Sequence, residues 1–428
     1  MDDQLYPPYT NPGSESYRQR ILPLRQRMDV YNGWLRKRLE TLLPKLMDEC
    51  GIEMWLVVAR EYNEDPVIMS LLPAPNLYAR RRTILVFHRK PDKVDRLAVY
   101  RYGFGDFYEG VWDPAKEEQY DCLARIIRER NPKNVGINVS ETWSFGDGLT
   151  HGEYTQLVDA LGDLSKKLTS AETLCIRWLE TRIAEELETY PTLVELTHAI
   201  VQEAFSSKLI TPGVTTTDDL QWWMRQRMLD LGVEMWFPAT VDLQGHGDAY
   251  DAKEKRTLIR RGDLLHCDIG FYYLGLATDV QQNAYILKPS ETDAPQGLRD
   301  ALRDANRLQD HHAEAMRTGR SGNEILRLTL ENAKREGINP SVYSHPIGVH
   351  GHAAGPPVGL WDQQEGVPGR GDHPLYPDTC YAVELNAKRP VPEWGGQEVR
   401  MSLEQDAWWT GEELIFMAGR QKRLHLVS

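Results

Sequence analysis

Asp268 closes the apolar run of GDLLHCDIG, and Asp279 follows 11 residues later in LATDVQQNAYIL. Both lie in strand-like sequence split by a Gly-containing turn, so a β-hairpin would set the two carboxylates side by side. A carboxylate within an apolar strand is costly to bury unless a cation or a donor answers it. Two adjacent carboxylates repel unless a metal lies between them. Further along, SHPIGVHGHAAGP holds His345, His350 and His352 among Gly and Pro. Neutral imidazole is a common transition-metal ligand. Glu384 in YAVELNA and Glu404 in MSLEQDAWWT each sit in another apolar, strand-like run. Four carboxylates and one imidazole make a hard, oxygen-rich set, which suits two divalent ions (Mn, Co, Fe or Zn) better than one structural zinc. Two such ions a few ångströms apart can share a water and bring its pKa near neutrality. Singly, such residues are commonplace: a turn Asp, a satisfied His, a solvated Glu. The order Asp, Asp, His, Glu, Glu, each in its own local signature, carries the inference.

Side chains gathered from four distant segments need a large fold to position them. The chain has 428 residues, enough for two or three domains. Its 41% hydrophobic and 26% charged residues are ordinary globular usage, which excludes disordered, collagen-like and disulfide-stapled classes. With 63 acidic against 50 basic residues the formal charge is −13, which argues against broad binding to nucleic acid or to an anionic membrane. No run of about 18 apolar residues suggests a membrane span. The first residues, MDDQLYPPYTNPGSESYRQR, lack the apolar core of a signal peptide, so a cytoplasmic protein is expected. Cys50, Cys122, Cys175, Cys267 and Cys380 are scattered and odd in number, as in a reducing compartment without a thiolate zinc site. Cys267 reads as a small buried apolar residue.

The expected organisation is α+β, in three segments. Residues 1–20 form a polar arm. Residues 21–170 form an α/β domain. It has an apolar helical face at Leu39, Leu42, Leu43 and Leu46, strands near 54–59, 83–88, 97–101 and 135–139, and a helix over 117–130. Residues 171–428 form the second domain. They begin with long helix over 171–208, divided or restarted at Pro191. A capped helix follows TPGVTTTDDL, and one further helix spans about 295–336 between strands.

The ordered ligand set resembles the pita-bread metallopeptidases: methionine aminopeptidase, aminopeptidase P, prolidase and the fold-related creatinase. The likeness covers roughly residues 175–420. The preceding α/β region is similar to the N-terminal domain of aminopeptidase P, prolidase and creatinase. The resemblance implies that Asp268 binds one ion, that Asp279 and Glu404 bridge both, and that His345 and Glu384 complete the other. It implies Glu384 as general base and His352 as the group that contacts substrate and steadies the tetrahedral intermediate. It also implies a homodimer and a small peptide substrate, with Xaa-Pro as first candidate.

This sequence departs from the family pattern at several points. Val280, Gln281 and Gln282 stand where Thr-Arg usually follows the second Asp. Ser402 replaces an Arg, with Arg400 as a nearby substitute. Ser341 stands where proline-specific members often carry a His, and Asp251 where a further His usually precedes the first Asp. His246, Tyr250 and His350 are therefore candidate substrate contacts; for His350, a surface imidazole is the equal alternative. Trp361, Trp394, Trp408 and Trp409 either wall the pocket or pack the core. Arg80, Arg81 and Arg82 read as a solvated face, or as a carboxylate clamp reaching a neighbouring subunit's site. Two other functions remain open: another small-molecule amide hydrolase or lyase on the same fold, and a non-catalytic binding module.

Overall fold

The computed structural model describes residues 13–248 and 256–428. Among these the chain divides into two compact units, Pro23–Ile183 and residues 13–22 together with Ala184–Ser428.

The first unit is a six-stranded sheet with helices against it. Its strands are β1 (Met54–Arg60), β2 (Arg82–Arg89), β3 (Val94–Ala98), β4 (Glu109–Gly110), β5 (Val135–Ile137) and β6 (Leu168–Ser170), in the order β4-β3-β2-β1-β5-β6. β2 runs antiparallel to β1 and β3, whereas β5 is parallel to β1 and β6. Leu123, Ile126 and Ile127 of helix Gln119–Arg130 and Leu157 and Leu161 of helix His151–Leu161 share a core with Met54, Leu56, Ile84 and Val86. The four leucines from Leu39 to Leu46 are all buried. Helix Glu172–Glu180 also belongs to this unit. Arg38 holds it here: its guanidinium donates to the carbonyls of Trp178 and, at 2.8 Å, Thr181, and stacks over the Trp178 ring. The chain then turns extended at Thr181. The break in the 171–208 stretch thus falls at 181–183, and helix Ala184–Ala204 runs through Pro191 without dividing.

The second unit supplies β7 (Glu234–Met235), β8 (Thr240–Gln244), β9 (Leu264–Ile269), β10 (Phe271–Tyr273), β11 (Leu276–Ala277), β12 (Val280–Ile286), β13 (Asn339–Val342), β14 (His345–Ile347), β15 (Thr379–Ala382), β16 (Leu385–Val391), β17 (Gln397–Leu403), β18 (Asp406–Trp409), β19 (Leu414–Phe416) and β20 (His425–Val427). They form four small sheets: β20-β12-β9-β8, β14-β15-β18-β19, β13-β16-β17 and β11-β10-β7. Thr216 caps helix Thr217–Leu231 through a capping box with Asp219. The single helix expected over 295–336 is two, Gln296–Ala315 and Gly322–Arg335, because Gly319 takes φ 85° and Ser321 starts a new capping box with Glu324. Leu298, Leu302, Leu308 and Leu326 of this pair share a core with Leu385, Ala387, Val399, Met401 and Leu403. Strand alternation therefore turns Arg400, Ser402 and Glu404 to the opposite face. Trp394 and Trp409 are buried in the core, whereas Trp361 is exposed. Residues Ser14–Arg20, expected as part of a loose arm, form a short 3-10 helix. It is fixed by the Arg227 guanidinium, which donates to Ser14 Oγ at 2.8 Å.

No helix among the described residues is long and apolar enough to cross a membrane.

Candidate metal centre

β9 and β12 form the expected antiparallel pair, with Ile269 opposite Val280 and Asp268 opposite Gln281. Between them β10 and β11 close on the two-residue turn Leu274–Gly275, where φ is 54° and 75°. Positive φ at both positions is the hairpin geometry for which glycine is the natural choice. Asp279 stands immediately before β12. A bridge then joins Gln281 to Glu404, so Asp268, Gln281 and Glu404 form one row across three chain segments. His345 opens β14 opposite Ala382, which in turn lies opposite Asp406, and Glu384 occupies the gap between β15 and β16.

The five expected ligands meet in two overlapping groups. Asp279, His345 and Glu404 make a buried one; Asp268, Glu384 and Glu404 make the other, with Asp268 and Glu384 half-buried. From His345 Nε2 the distance is 3.5 Å to Asp279 Oδ2, 3.4 Å to Glu404 Oε1 and 4.0 Å to Glu384 Oε2. An ion about 2 Å from each of several ligands spaces them in this way. The other imidazole nitrogen, Nδ1, lies 3.0 Å from the Pro346 carbonyl. A carbonyl can only accept, so Nδ1 carries a hydrogen, which leaves Nε2 as the nitrogen turned to the carboxylates and able to ligate.

Asp268 Oδ1, Asp279 Oδ1, Glu404 Oε1 and His345 Nε2 are all buried without a hydrogen-bond partner. Burial, then the charges of Asp279 and Glu384, push the Asp268 and Glu404 carboxyls well above the usual carboxylate range. Burial raises Glu384 to about 7, against the lowering effects of His345, Gln281 and Arg400. Burial opposes the charge of His345, but Asp279 and Glu384 outweigh it and raise its pKa. Acidic groups crowded until they resist ionisation, with oxygens aimed at nothing, are what a divalent cation would relieve. The donor set fits that group.

His352 lies beside the centre, its ring 4.6 Å from that of His345 and 5.3 Å from that of Trp236, with much of its surface open to solvent. Gly351 makes this possible, since a Cβ there would come within 2.4 Å of the Trp236 ring. Burial and the His345 charge lower the His352 pKa, favouring the neutral ring.

The remaining candidates part company with the cluster. His246 lies two residues beyond Gln244, which pairs with Leu264, whereas Thr240 pairs with Asp268. At about 3.3 Å per residue, β8 leads His246 well away from Asp268. Its exposed ring stacks on Trp394 instead. Tyr250 and Asp251 lie outside the described residues. His350 sits in the Gly-rich loop, where its carbonyl accepts from the Gly348 N–H at 3.0 Å. In the first unit Arg82 is not part of a solvated run: it pairs with buried Glu153 at 2.6 Å and stacks on Tyr120. Cys267 is fully buried, and burial raises its thiol well above the ordinary range.

Three further neighbours support the cluster: Asp406, which the sequence does not single out, and Arg400 and Gln281, which it marks only as departures from the family pattern. Asp406 is buried and accepts from the Asp279 N–H at 3.0 Å, anchoring that ligand's backbone. Arg400 lies close enough for its charge to act on Glu384 and on Tyr343. Gln281 touches the ligands themselves, and its place two residues after Asp279 on one strand was the available signal.

Residues 192–404 match metallopeptidase family M24. That segment is an M24 metallopeptidase domain. A putative Xaa-Pro aminopeptidase of Mycoplasma genitalium is 21% identical over 207 residues, 48% of this chain and 56% of the relative. The M24 chain thus spans just over half the length of that curated relative. Its fold is similar to that of an X-Pro aminopeptidase from Thermotoga maritima, with TM-score 0.64 and 15% identity over 90% of this chain and 100% of that one. A Xaa-Pro dipeptidase from Bacillus anthracis gives TM-score 0.60 and 18% identity over 94% and 99%. At such identities the likeness shows the shared two-domain fold.

Proposed function

We propose that this M24 metallopeptidase hydrolyses the peptide bond of dipeptides or short peptides with two divalent ions in the Asp268, Asp279, His345, Glu384 and Glu404 cluster, Xaa-Pro being the first candidate substrate. The observation that carries the reading is the set of four buried ligand atoms without partners. Bound divalent ions would supply a nucleophile from water near neutral pH and polarise a carbonyl. Asp279 and Glu404, fixed by Asp406 and by the bridge to Gln281, hold the middle of the cluster. Glu384, half-buried within the cluster and held by the Gln281 amide, would take a proton from water and pass it to the leaving nitrogen. His352, open to solvent on one side and neutral, is placed to donate a hydrogen bond to the developing oxyanion. The Xaa-Pro aminopeptidase and dipeptidase names of the relatives support the substrate class.

A second reading, another amide hydrolase or lyase on this fold, is favoured by Ser341, where the resemblance implies a His in proline-specific members, and by Gln281, Gln282 and Ser402, where it implies the family's Thr-Arg and Arg. The test is a panel of matched Xaa-Pro and Xaa-Ala dipeptides and Xaa-Pro tripeptides, with chelator-stripped protein reloaded with Mn, Co or Zn. Cleavage confined to the Xaa-Pro substrates supports the proposal. Turnover of none, with metal bound, would move the assignment to another substrate.

A further inference from the structure

Gln281 is buried in β12 between two metal-ligand strands, facing Asp268 across one ladder and Glu404 across the other. Its backbone N–H donates to the Glu404 carbonyl at 3.1 Å, so its Cα is locked to that ligand's. Its side-chain nitrogen donates to Glu384 Oε1 at 2.5 Å and lies 3.5 Å from Asp268 Oδ2. Its side-chain oxygen lies 2.8 Å from His266 Nε2. This arrangement fixes the amide's orientation, since the reverse would turn a carbonyl oxygen on two carboxylates. It also fixes the His266 tautomer, because the amide oxygen can only accept.

The contacts divide unequally between the two halves of the cluster. Gln281 touches one oxygen each of Asp268 and Glu384, and leaves Asp268 Oδ1 without a partner. No side-chain contact of Gln281 reaches Asp279 or His345 among the described residues. Resting on the metal reading above, we propose that Gln281 is a positioning residue for one half of the centre: its amide, oriented by His266, holds the outer oxygens of Asp268 and Glu384 so that their remaining oxygens face the cation shared with Glu404. The amide lets this chain do with one side chain what needs both a donor and an acceptor.

Outer partners of metal ligands alter affinity by about 10- to 100-fold when removed. Calorimetric titration of the stripped protein with Mn²⁺, checked by bound manganese per chain, reads the two halves as separate phases. For Gln281→Ala the weaker phase should lose about 10- to 100-fold in affinity, while the phase of Asp279, His345 and Glu404 changes less than about threefold. Gln281→Glu, which keeps the size but sets a third carboxylate against two, should recover neither the hydrogen bond nor the Glu384 orientation, and should alter the weaker phase alone. His266→Ala should weaken the same phase by a smaller factor. A merely structural role would shift both phases together, with a lower Tm, and would overturn the proposal. So would an unchanged weaker phase in Gln281→Ala. Failure of the unsubstituted protein to bind Mn²⁺ at all would instead overturn the metal reading on which the proposal stands.

Discussion

His312 offers a test of the packing that needs no substrate. It lies on helix Gln296–Ala315, fully buried, with neither ring nitrogen hydrogen-bonded, and burial lowers its pKa from 6.5 to about 4. The folded state therefore holds the neutral ring, whereas the unfolded chain takes up a proton below about 6.5. A depressed histidine pKa gives stability that is complete above the unfolded value, and that is lost as pH falls from about 6.5 towards about 4. At pH 5 the unfolded ring is almost wholly charged and the folded ring almost wholly neutral. The gap of about 1.5 pH units from 6.5 then costs roughly 2 kcal/mol at about 1.36 kcal/mol per unit. His312→Leu removes that term and also the two unpartnered nitrogens. Urea unfolding should find the variant as stable as the parent or more so at pH 7.5, and should find its relative stability higher by about 2 kcal/mol at pH 5. An equal difference between variant and parent at the two pH values would refute the reasoning, because His312 would then be titrating alike in both states.

Three further outcomes are expected. Asp279→Asn removes the charge of a ligand whose backbone Asp406 anchors, so manganese per chain measured by mass spectrometry and hydrolysis should both fall to near background. His352→Gln should keep its bound manganese and lower kcat by about 10²- to 10³-fold, because the ring stands beside the ligand set and outside it. Leu302→Ala, in the core between the paired helices and β16 and β17, should destabilise the second unit by about 2–5 kcal/mol in urea unfolding at pH 7.5, with metal affinity retained.

Much of this architecture is legible in the sequence because its signals are local. Asp268 and Asp279 interrupt apolar strands, so their pairing follows from the hairpin, and the Thr216–Asp219 capping box announces its helix four residues at a time. Periodicity alone reads one helix over 295–336, because it continues on both sides of a break made by Gly319 and Ser321. Pro191 misled in the opposite direction, since a long buried helix tolerates the lost hydrogen bond when packing holds both sides. At the site, ligand identities could be read, and Arg400 and Gln281 could be noted, but what these neighbours touch could not. Asp406, Arg400 and Gln281 act on Asp279 and Glu384 only because strands far apart in sequence align. His246 shows the converse: nearness in sequence to the first ligand strand suggested a contact, and the register of β8 carries it elsewhere.

Divalent ions held by these five side chains would explain the cluster. Their presence is tested most directly by an anomalous-difference map from crystals of the manganese-loaded protein, recorded near the manganese edge. Density is expected within about 2.0–2.3 Å of oxygens of Asp279 and Glu404 and of His345 Nε2, with a second peak toward Asp268 and Glu384. A fully loaded protein with no anomalous density among these residues, or with its manganese bound elsewhere, would contradict that explanation.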